Sequence, residues 1–227
     1  LHAVKFGADT AKKELEKRNI PVDDFDYAVL GSSVPHKSSF YGAPWLAGLV
    51  GADKAGGPMI YQACATGVRT LLAAVQEIEV GMAEKALVVN ADRTSNGPHI
   101  LYPNPSAPGG TGDSENWVMD NFSCDPLGGH SMLQTAENVA KKHQVSTEAQ
   151  HEVVLRRTEQ YQAACADDHA FHKRYMTLPF EVPDPRFRKV RNTLEGDEGI
   201  TISTAEGLAK LKPVMPDGTV TFGGQTH

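Results

Sequence analysis

Pro58-Met-Ile-Tyr-Gln-Ala-Cys-Ala-Thr-Gly67 joins a short apolar run to a long helical pattern. Residues 58–62 are typical of a strand, and residues 65–80 predict a helix. Because that helix carries apolar side chains on nearly all sides, it should be buried rather than lie on the surface. A strand that runs through a cysteine-containing turn into a buried helix indicates a layered α/β fold.

Similar patterns lie on both sides of this junction. Two further apolar runs end on Gly31 and Asn90, and helical periodicity precedes and follows the first of them. Short apolar strands that alternate with helices are typical of a parallel sheet covered on both faces. We therefore expect a mostly parallel sheet, built from strands at 26–31, 58–62 and 86–90 and helices at 2–18, 41–52 and 65–80.

The chain changes character after Asn90. Residues 92–129 are rich in Pro, Gly, Asn and Ser and show little periodicity. A long irregular stretch of this kind inside a domain is usually functional. Beyond it, helices are predicted at 131–143, 147–168 and 204–212, short strands and loops at 178–203, and a strand at 219–222 after the Asp217-Gly218 turn.

The composition excludes several classes of partner. With 22 Lys and Arg against 28 Asp and Glu, and no polybasic run, the chain has no electrostatic footprint for nucleic acid or an anionic membrane. No apolar run reaches the roughly 18 residues that span a bilayer, and no signal or transit segment is visible. We expect a cytoplasmic protein, although a targeting segment could have been lost because the chain opens on Leu1 rather than Met.

The cysteines point to a single reactive thiol. Three widely spaced cysteines without a CxxC pair argue against a disulfide framework and a structural zinc site, so no metal is expected. Cys64 is the candidate nucleophile, because free N–H groups at a helix start favour a thiolate. That effect is worth about 0.3–1 kcal/mol, so a base is still required. The alternative is that Cys64 is a small apolar filler.

Other chemistry-bearing residues have both a structural and a functional interpretation. His169 and His172 with Asp167 resemble a metal cluster but lack a third strong ligand, so a solvated helix end is favoured. Cys124 and Cys165 are weaker nucleophile candidates. A short basic stretch could meet ligand phosphates or simply face water, and its members are Arg186, Arg188, Lys189 and Arg191.

Several segments, in order and spacing across nearly the whole chain, resemble the thiolase family of acetyl-CoA acyltransferases. Ala63-Cys-Ala-Thr-Gly67 resembles the nucleophile segment, which β-ketoacyl synthases also carry. Two further regions resemble the thiolase helix of the loop domain and the return into the core. These regions are Gly129-His-Ser-Met-Leu-Gln-Thr-Ala-Glu-Asn-Val-Ala140 with Ser146-Thr-Glu-Ala-Gln150, and Leu208-Ala-Lys-Leu-Lys-Pro-Val214 with Asp217-Gly-Thr-Val-Thr221.

The resemblance implies an acyl-CoA C-acyltransferase that works through a cysteine acyl-enzyme, in Claisen condensation or in thiolysis of 3-ketoacyl-CoA. It makes Cys64 the nucleophile and its backbone N–H half of an oxyanion hole. It also implies that Met132 and Ser131 line the pantetheine channel and that Thr226 contacts the same arm. Met132 could instead be packing at a helix start. The family's activating histidine, second cysteine and Asn-water oxyanion hole belong to segments downstream of residue 227.

The resemblance also implies a domain organisation and partners. Residues 1–93 plus 213–227 would form the N-terminal core, and residues 94–212 an inserted α+β loop domain that covers CoA. Coenzyme A thioester is the substrate, and no separate cofactor is implied. The expected partners are a C-terminal thiolase half, on the same or a separate chain, and further copies in a homodimer or homotetramer. Without that half, the chain should be inactive and expose a large apolar face.

Departures from the family pattern keep other functions open. Where thiolases usually carry Gly-Asn-Ala-Ser-Gly, this chain has Gly223-Gly-Gln-Thr-His227, and Asn90-Ala-Asp-Arg-Thr-Ser95 also differs from the usual segment. The first alternative is a non-catalytic thiolase-like subunit that binds acyl-CoA or a partner. A condensing enzyme of the β-ketoacyl synthase type is third, disfavoured by the long insertion and the Thr135-Ala-Glu-Asn138 helix.

Overall fold

A computed structural model describes residues 1–93 and 97–224 of the chain. The chain forms two compact units, Leu1–Asn121 and Phe122–His227. The partition predicted from the sequence, a core of 1–93 plus 213–227 with 94–212 as the loop domain, stays a prediction. Of the helices in the described ranges, none has the length and apolar character needed to span a membrane.

The first unit begins with alternating helices and strands, as the sequence predicts. The stretch predicted to be irregular after residue 92 contains a small antiparallel hairpin, and a short helix lies at the boundary with the second unit. The elements are α1 (Ala3–Lys17), β1 (Tyr27–Gly31), α2 (Ala43–Val50), β2 (Met59–Ile60), α3 (Thr66–Glu79), β3 (Ala86–Asn90), β4 (His99–Tyr102), β5 (Asp113–Asn116) and α4 (Met119–Ser123).

The central sheet is parallel and has three strands in the order β2-β1-β3. Tyr27 pairs with Ala86 at one end of the β1–β3 ladder, and Gly31 pairs with Asn90 at the other. The predicted α/β fold with a parallel sheet is confirmed. Because β1 is central, the chain moves to one side of it for β2 and crosses to the other side for β3.

One face of the sheet carries a closed apolar core under α1 and α2. Alternate strand residues, such as Ala28 and Leu30, face this side, as strand geometry requires. Leu46 of α2 and Val4 of α1 are fully buried against them. This side therefore has the continuous packing that stabilises a domain.

Helix α3 lies on the opposite face and approaches β1 closely. A Cβ added to Gly31 would overlap the Asn90 side chain and would lie 2.7 Å from Cγ2 of Thr70 and 2.9 Å from Cγ2 of Thr66. Glycine at this position therefore allows the helix to pack directly on the strand. The contact is built from small residues, since the buried side chains of α3 are Thr66, Thr70 and Ala74.

The outer side of α3 is uncovered, so the prediction that this helix is buried is wrong for the described chain. Val68 is 74% exposed and Leu71 is 57% exposed, and Leu72, Val75 and Ile78 are exposed as well. The apolar pattern does occur on several sides of the helix, but the described residues cover only one of them. The expectation that this chain exposes a large apolar face agrees with this observation.

The second unit is mainly helical, with one small antiparallel sheet. Its longest helix breaks at Ala166–His169, where the backbone leaves the helical conformation. The elements are α5 (Met132–His143), α6 (Thr147–Lys173), β6 (Phe180–Pro183), β7 (Val190–Leu194) and α7 (Ala205–Ala209).

Residues 219–222 do not form the predicted strand, apart from a single bridge between Pro213 and Thr221. The Glu137 side chain takes the place of a neighbouring strand: both carboxylate oxygens accept hydrogen bonds from the Thr219 N–H at 2.9 Å, and one also accepts from the Val220 N–H at 2.8 Å. The backbone N–H groups of Thr219 and Val220 are therefore satisfied by a side chain rather than by a neighbouring strand.

Candidate active site

The carboxyl ends of the parallel strands meet at one edge of the sheet in the first unit. Gly31, Ile60 and Asn90 end the three strands, and Cys64 follows β2 after a short turn. In α/β sheets, ligands bind outside this edge, close to the point where the strand order reverses. Here that point lies beside β1, so Cys64 is on the edge of the sheet where a ligand is expected.

Cys64 occupies a tight turn between β2 and α3. Ala63 before it has φ +44°, a left-handed conformation that is uncommon for a residue with a Cβ. Ala63–Ala65 form one turn of 3-10 helix, and α3 begins at Thr66. A strained backbone conformation between a strand and a helix is a feature that clusters at functional sites.

Thr66 fixes this turn with its hydroxyl group. The Thr66 Oγ1 donates to the carbonyl of Ala63 at 2.7 Å and accepts from the N–H of Gln62 at 2.9 Å. Thr66 is 6% exposed, so both hydrogen bonds are partly shielded from water although Gln62 and Ala63 are exposed. Thr66 thus holds the backbone on both sides of Cys64, a role that the sequence analysis did not assign.

The thiol of Cys64 is exposed and unengaged. Within residues 1–93 and 97–224, its sulfur has no hydrogen-bond partner, and the cysteine is free of disulfides. No side chain caps the start of α3, because its N-cap position is Ala65. The Thr66 N–H is hydrogen-bonded to the Ala63 carbonyl, so the dipole at the start of α3, rather than this amide, favours negative charge on the sulfur. The described residues supply no base to the sulfur.

Polar residues at the same sheet edge form two further pairs. Thr70 donates to the Asn90 side chain at 2.9 Å, which links α3 to the end of β3. Asp92 accepts from the backbone N–H of Ser33 at 2.8 Å and from its hydroxyl, which links the ends of β1 and β3. Neither pair was predicted from the sequence, although each polar residue directly follows or faces a predicted strand end.

An open cleft of about 500 Å³ runs between β2 and α3, lined by Met59, Tyr61, Arg69 and Glu77 among others. Tyr27 also lines the cleft, and burial raises the pKa of its hydroxyl, to which Glu77 adds by its charge and a hydrogen bond. The phenol is therefore neutral at physiological pH and can act only as a hydrogen-bonding group.

The other predicted site residues belong to the second unit. Ser131 is the N-cap of α5, and its hydroxyl accepts from the N–H of Gln134 at 3.2 Å. Met132 opens the same helix and is 58% exposed. Thr226 lies outside the described residues. The roles of Met132, Ser131 and Thr226 on the pantetheine arm stay predictions, and Ser131 also has a structural function as a cap.

The segment Thr135-Ala-Glu-Asn138, which carries part of the family resemblance, has a structural role in this unit. Burial alone would raise the pKa of Glu137, but the hydrogen bonds from Val220 and Thr219 outweigh it, so the pKa is lowered. Thr147 reinforces the link by donating to the Thr219 carbonyl at 2.8 Å. Two of the resembling segments therefore bind each other.

The remaining candidates are distributed over the second unit. The basic residues Arg186, Arg188, Lys189 and Arg191 are all exposed near the β6–β7 turn, so contact with ligand phosphates and a solvated surface both remain open. His169 and His172 lie side by side, and the third member of their group is Cys165 rather than Asp167.

Comparisons with known proteins define the class. Residues 1–226 match the family model of the thiolase N-terminal domain. The acetyl-CoA acetyltransferase of Chromobacterium violaceum is 30% identical over 235 residues, which cover 98% of this chain and 57% of that protein. The acetyl-CoA acetyltransferase of Rhizobium meliloti is 28% identical over 231 residues, with coverage of 97% and 56%.

A solved structure shows the same fold. Human mitochondrial 3-ketoacyl-CoA thiolase, crystallised in complex with CoA, superposes with a TM-score of 0.77 at 25% identity, covering 97% of this chain and 55% of the human chain. The chain belongs to the thiolase family. Its α/β architecture is that of the N-terminal half, as predicted, and it spans about half the length of the curated relatives it matches.

Proposed function

We propose that this chain is the nucleophile-bearing half of an acyl-CoA C-acyltransferase that acts through an acyl-enzyme on Cys64. The observation that carries the proposal is the position of Cys64. Its exposed thiol lies at the carboxyl edge of the parallel sheet. It is one residue before Ala65, the N-cap residue of α3, which makes no side-chain capping hydrogen bond. That position supplies access for a thioester and partial stabilisation of a thiolate.

The proposed reaction has two transfers. In the first, the Cys64 thiolate attacks the carbonyl carbon of an acyl-CoA, the bond to the CoA sulfur breaks, and CoA leaves as a thiol after taking up a proton. In the second, the acyl group passes from Cys64 to a new nucleophile. In condensation, the α-carbon of a second acyl-CoA loses a proton and takes the acyl group, and the Cys64 thiolate is released. Thiolysis is the reverse: the Cys64 thiolate attacks C3 of a 3-ketoacyl-CoA, the C2–C3 bond breaks, and the α-carbon takes up a proton and leaves as an acyl-CoA. The sulfur of free CoA then loses its proton and takes the acyl group from Cys64.

The groups that complete these steps would come from a C-terminal thiolase half. A base must remove the thiol proton, and the described residues place none at the Cys64 sulfur. The uncovered apolar side of α3 supports a covering element, because an exposed face with Val68, Leu71 and Val75 is unusual for an isolated domain. We propose that the complete assembly is a homodimer or homotetramer in the cytoplasm, a compartment that suits three free cysteines.

Acylation of Cys64 tests the proposal directly. The chain is combined with a C-terminal thiolase half, on one polypeptide or as two, and treated with acetyl-CoA before peptide mass analysis. One acetyl group is expected on the peptide that contains Cys64. Cys124→Ala is the matched control, since Cys124 is also a free and exposed thiol, and it should leave both labelling and turnover unchanged.

A non-catalytic acyl-CoA-binding subunit predicts a different result. It would bind CoA without acetylation of Cys64, and Cys64→Ala would retain whatever activity the assembly has. Either of these two results contradicts the proposed mechanism.

A further inference from the structure

We propose a binding site for a single Zn²⁺ ion in the second unit, formed by Cys165, His169 and His172. The site is independent of Cys64 and of acyl transfer, because it lies on α6 at the break in that helix. Each residue offers one ligand atom, and these three atoms all lie within 4.8 Å of one another.

The local backbone brings the three side chains together. Ala166 is extended, and Asp167, Asp168 and His169 follow with φ of 52°, 57° and 57°, all in the left-handed region. The helix resumes afterwards and carries His172. Spacings of four and three residues would already place these side chains on one helical face, and the break draws them around a single point.

The distance between the two histidines suits a metal. Their Nδ1 atoms are 3.4 Å apart. Two nitrogens bound to Zn²⁺ at about 2.05 Å in tetrahedral geometry would be separated by about 3.4 Å, and a nitrogen and a thiolate sulfur by about 3.6 Å. The ligand atoms of Cys165 and of the two histidines lie within 4.8 Å of one another, so the sulfur is within about an ångström of the separation that such an arrangement needs.

The donor set selects the class of ion. One thiolate and two imidazoles are the ligands that Zn²⁺ prefers, whereas Mg²⁺ and Ca²⁺ require oxygen donors. The nearby carboxylate of Asp168 is engaged in an ion pair with Lys173 at 2.7 Å, so the fourth position falls to solvent. On binding, the Cys165 thiol releases its proton to water and the sulfur coordinates as a thiolate.

Neighbouring groups support these ligands. Tyr161 hydrogen-bonds with Cys165, and its ring centroid lies 5.9 Å from that of His172. A Cβ added to Gly196 would lie 3.1 Å from Cε1 of His169, so the imidazole packs on the backbone of the 195–199 turn. Partners of this kind orient metal ligands and contribute to affinity. The acidic residues of that turn also place negative charge beside the cation.

Co²⁺ is the probe, because its complexes with thiolate show a sulfur-to-metal charge-transfer band. The untagged 227-residue chain is reduced, stripped of metal and titrated with Co²⁺, and Zn²⁺ is then added in competition. One ion per chain is expected, with the thiolate band, and Zn²⁺ should displace it. The titration is repeated in Cys64→Ala, so failure of the acyl-enzyme proposal does not affect the result.

Matched variants separate this site from other thiols and histidines. Cys165→Ser should remove the thiolate band, and His169→Gln or His172→Gln should weaken Zn²⁺ binding at least tenfold. Tyr161→Phe should weaken it about 10- to 100-fold while keeping the band, as expected of a positioning residue. Cys124→Ser and His143→Gln should change neither.

One measurement needs no variant and so does not depend on how the variants fold. Zn²⁺ should protect Cys165 from alkylation in the unmodified chain and leave Cys124 reactive. The proposal is overturned by a titration without a thiolate band, by a band that survives Cys165→Ser, or by equal alkylation of Cys165 with and without Zn²⁺. Any of these results would mean that the 3.4 Å contact is only a hydrogen bond between two imidazoles.

Discussion

On one face of the central sheet, α1 and α2 close a continuous apolar core around Leu30 and Leu46. On the other face, α3 buries two threonines and an alanine and exposes its larger apolar side chains. Helices of this chain cover the first face, whereas the outer side of α3 is exposed in the described residues. Cys64 lies at the start of this exposed helix, so the proposed nucleophile and the proposed interface are on the same side of the sheet.

The largest difference between the two faces is expected in the loss of stability when one apolar side chain on each face is truncated to alanine. Leu46→Ala removes a fully buried side chain on the covered face and should lower the free energy of unfolding by about 2–5 kcal/mol. Leu71→Ala, which is 57% exposed on α3, should change it by no more than about 0.5 kcal/mol. Urea unfolding of both variants measures the difference. Equal losses would mean that α3 is covered after all.

The turn that carries Cys64 should depend on the Thr66 hydroxyl. Thr66→Val leaves the N–H of Gln62 and the carbonyl of Ala63 without their side-chain partner, and it should cost about 1–3 kcal/mol of stability. Thr66→Ser keeps the hydroxyl and should lose much less. If valine and serine behaved alike in the same unfolding experiment, the two hydrogen bonds would not be what holds the turn.

The covered face should be the acid-sensitive one. His36 lies beside His2, which directly precedes α1 and contacts the ring of Trp45 on α2. Burial lowers the pKa of His36 below 6.5, and the charge of His2 lowers it further, whereas Asp92 opposes the shift. Because the unfolded chain then binds the proton first, this contribution to stability is present above about pH 6.5 and is lost as the pH falls. The urea midpoint should therefore drop between pH 7.5 and pH 5.

His36→Gln is the control for that experiment, since it removes the titrating group while keeping a polar side chain. The variant should show a smaller drop over the same range. A drop of unchanged size would assign the acid sensitivity to other groups.

The smallest effect on folding should come from polar substitutions on α3. Leu71→Gln with Val75→Gln replaces exposed apolar surface and should leave the unfolding free energy within about 0.5 kcal/mol of the parent. The same double variant should reduce self-association in sedimentation experiments, because a large exposed apolar patch promotes it. It should also impair assembly with a C-terminal half. Unchanged association in both assays would show that this face is not an interface.

Much of the first unit could be predicted because its signals are local. Apolar strands ending on Gly31 and Asn90, separated by helices, specify a parallel sheet, and the position of Cys64 follows from its place between β2 and α3. The burial of α3 could not be predicted correctly. Apolar side chains on several sides of a helix indicate that these sides pack against other residues, but they do not indicate whether those residues belong to the same chain. The overall match to thiolases came from motif order rather than from periodicity.

The second unit was harder because its interactions are between distant side chains and backbone. Residues 219–222 have the composition of a strand, yet Glu137, which lies 82 positions before Thr219, binds the amides of Thr219 and Val220. From the sequence, His169 and His172 are grouped with Asp167 rather than with Cys165, because the predicted helix ends at residue 168. In the structure the helix resumes after the break at Ala166–His169, and Cys165 is the third member of the group.

The measurement that tests the central claim most directly is the rate at which acetyl-CoA acetylates Cys64, in the chain alone and in the assembly with a C-terminal thiolase half. If the chain holds half of an active site, the acetyl group should appear on Cys64 rapidly in the assembly, slowly or not at all in the chain alone, and never in Cys64→Ala. Equal rates with and without the second half, or an acetyl group on another residue of the assembly, would contradict the account.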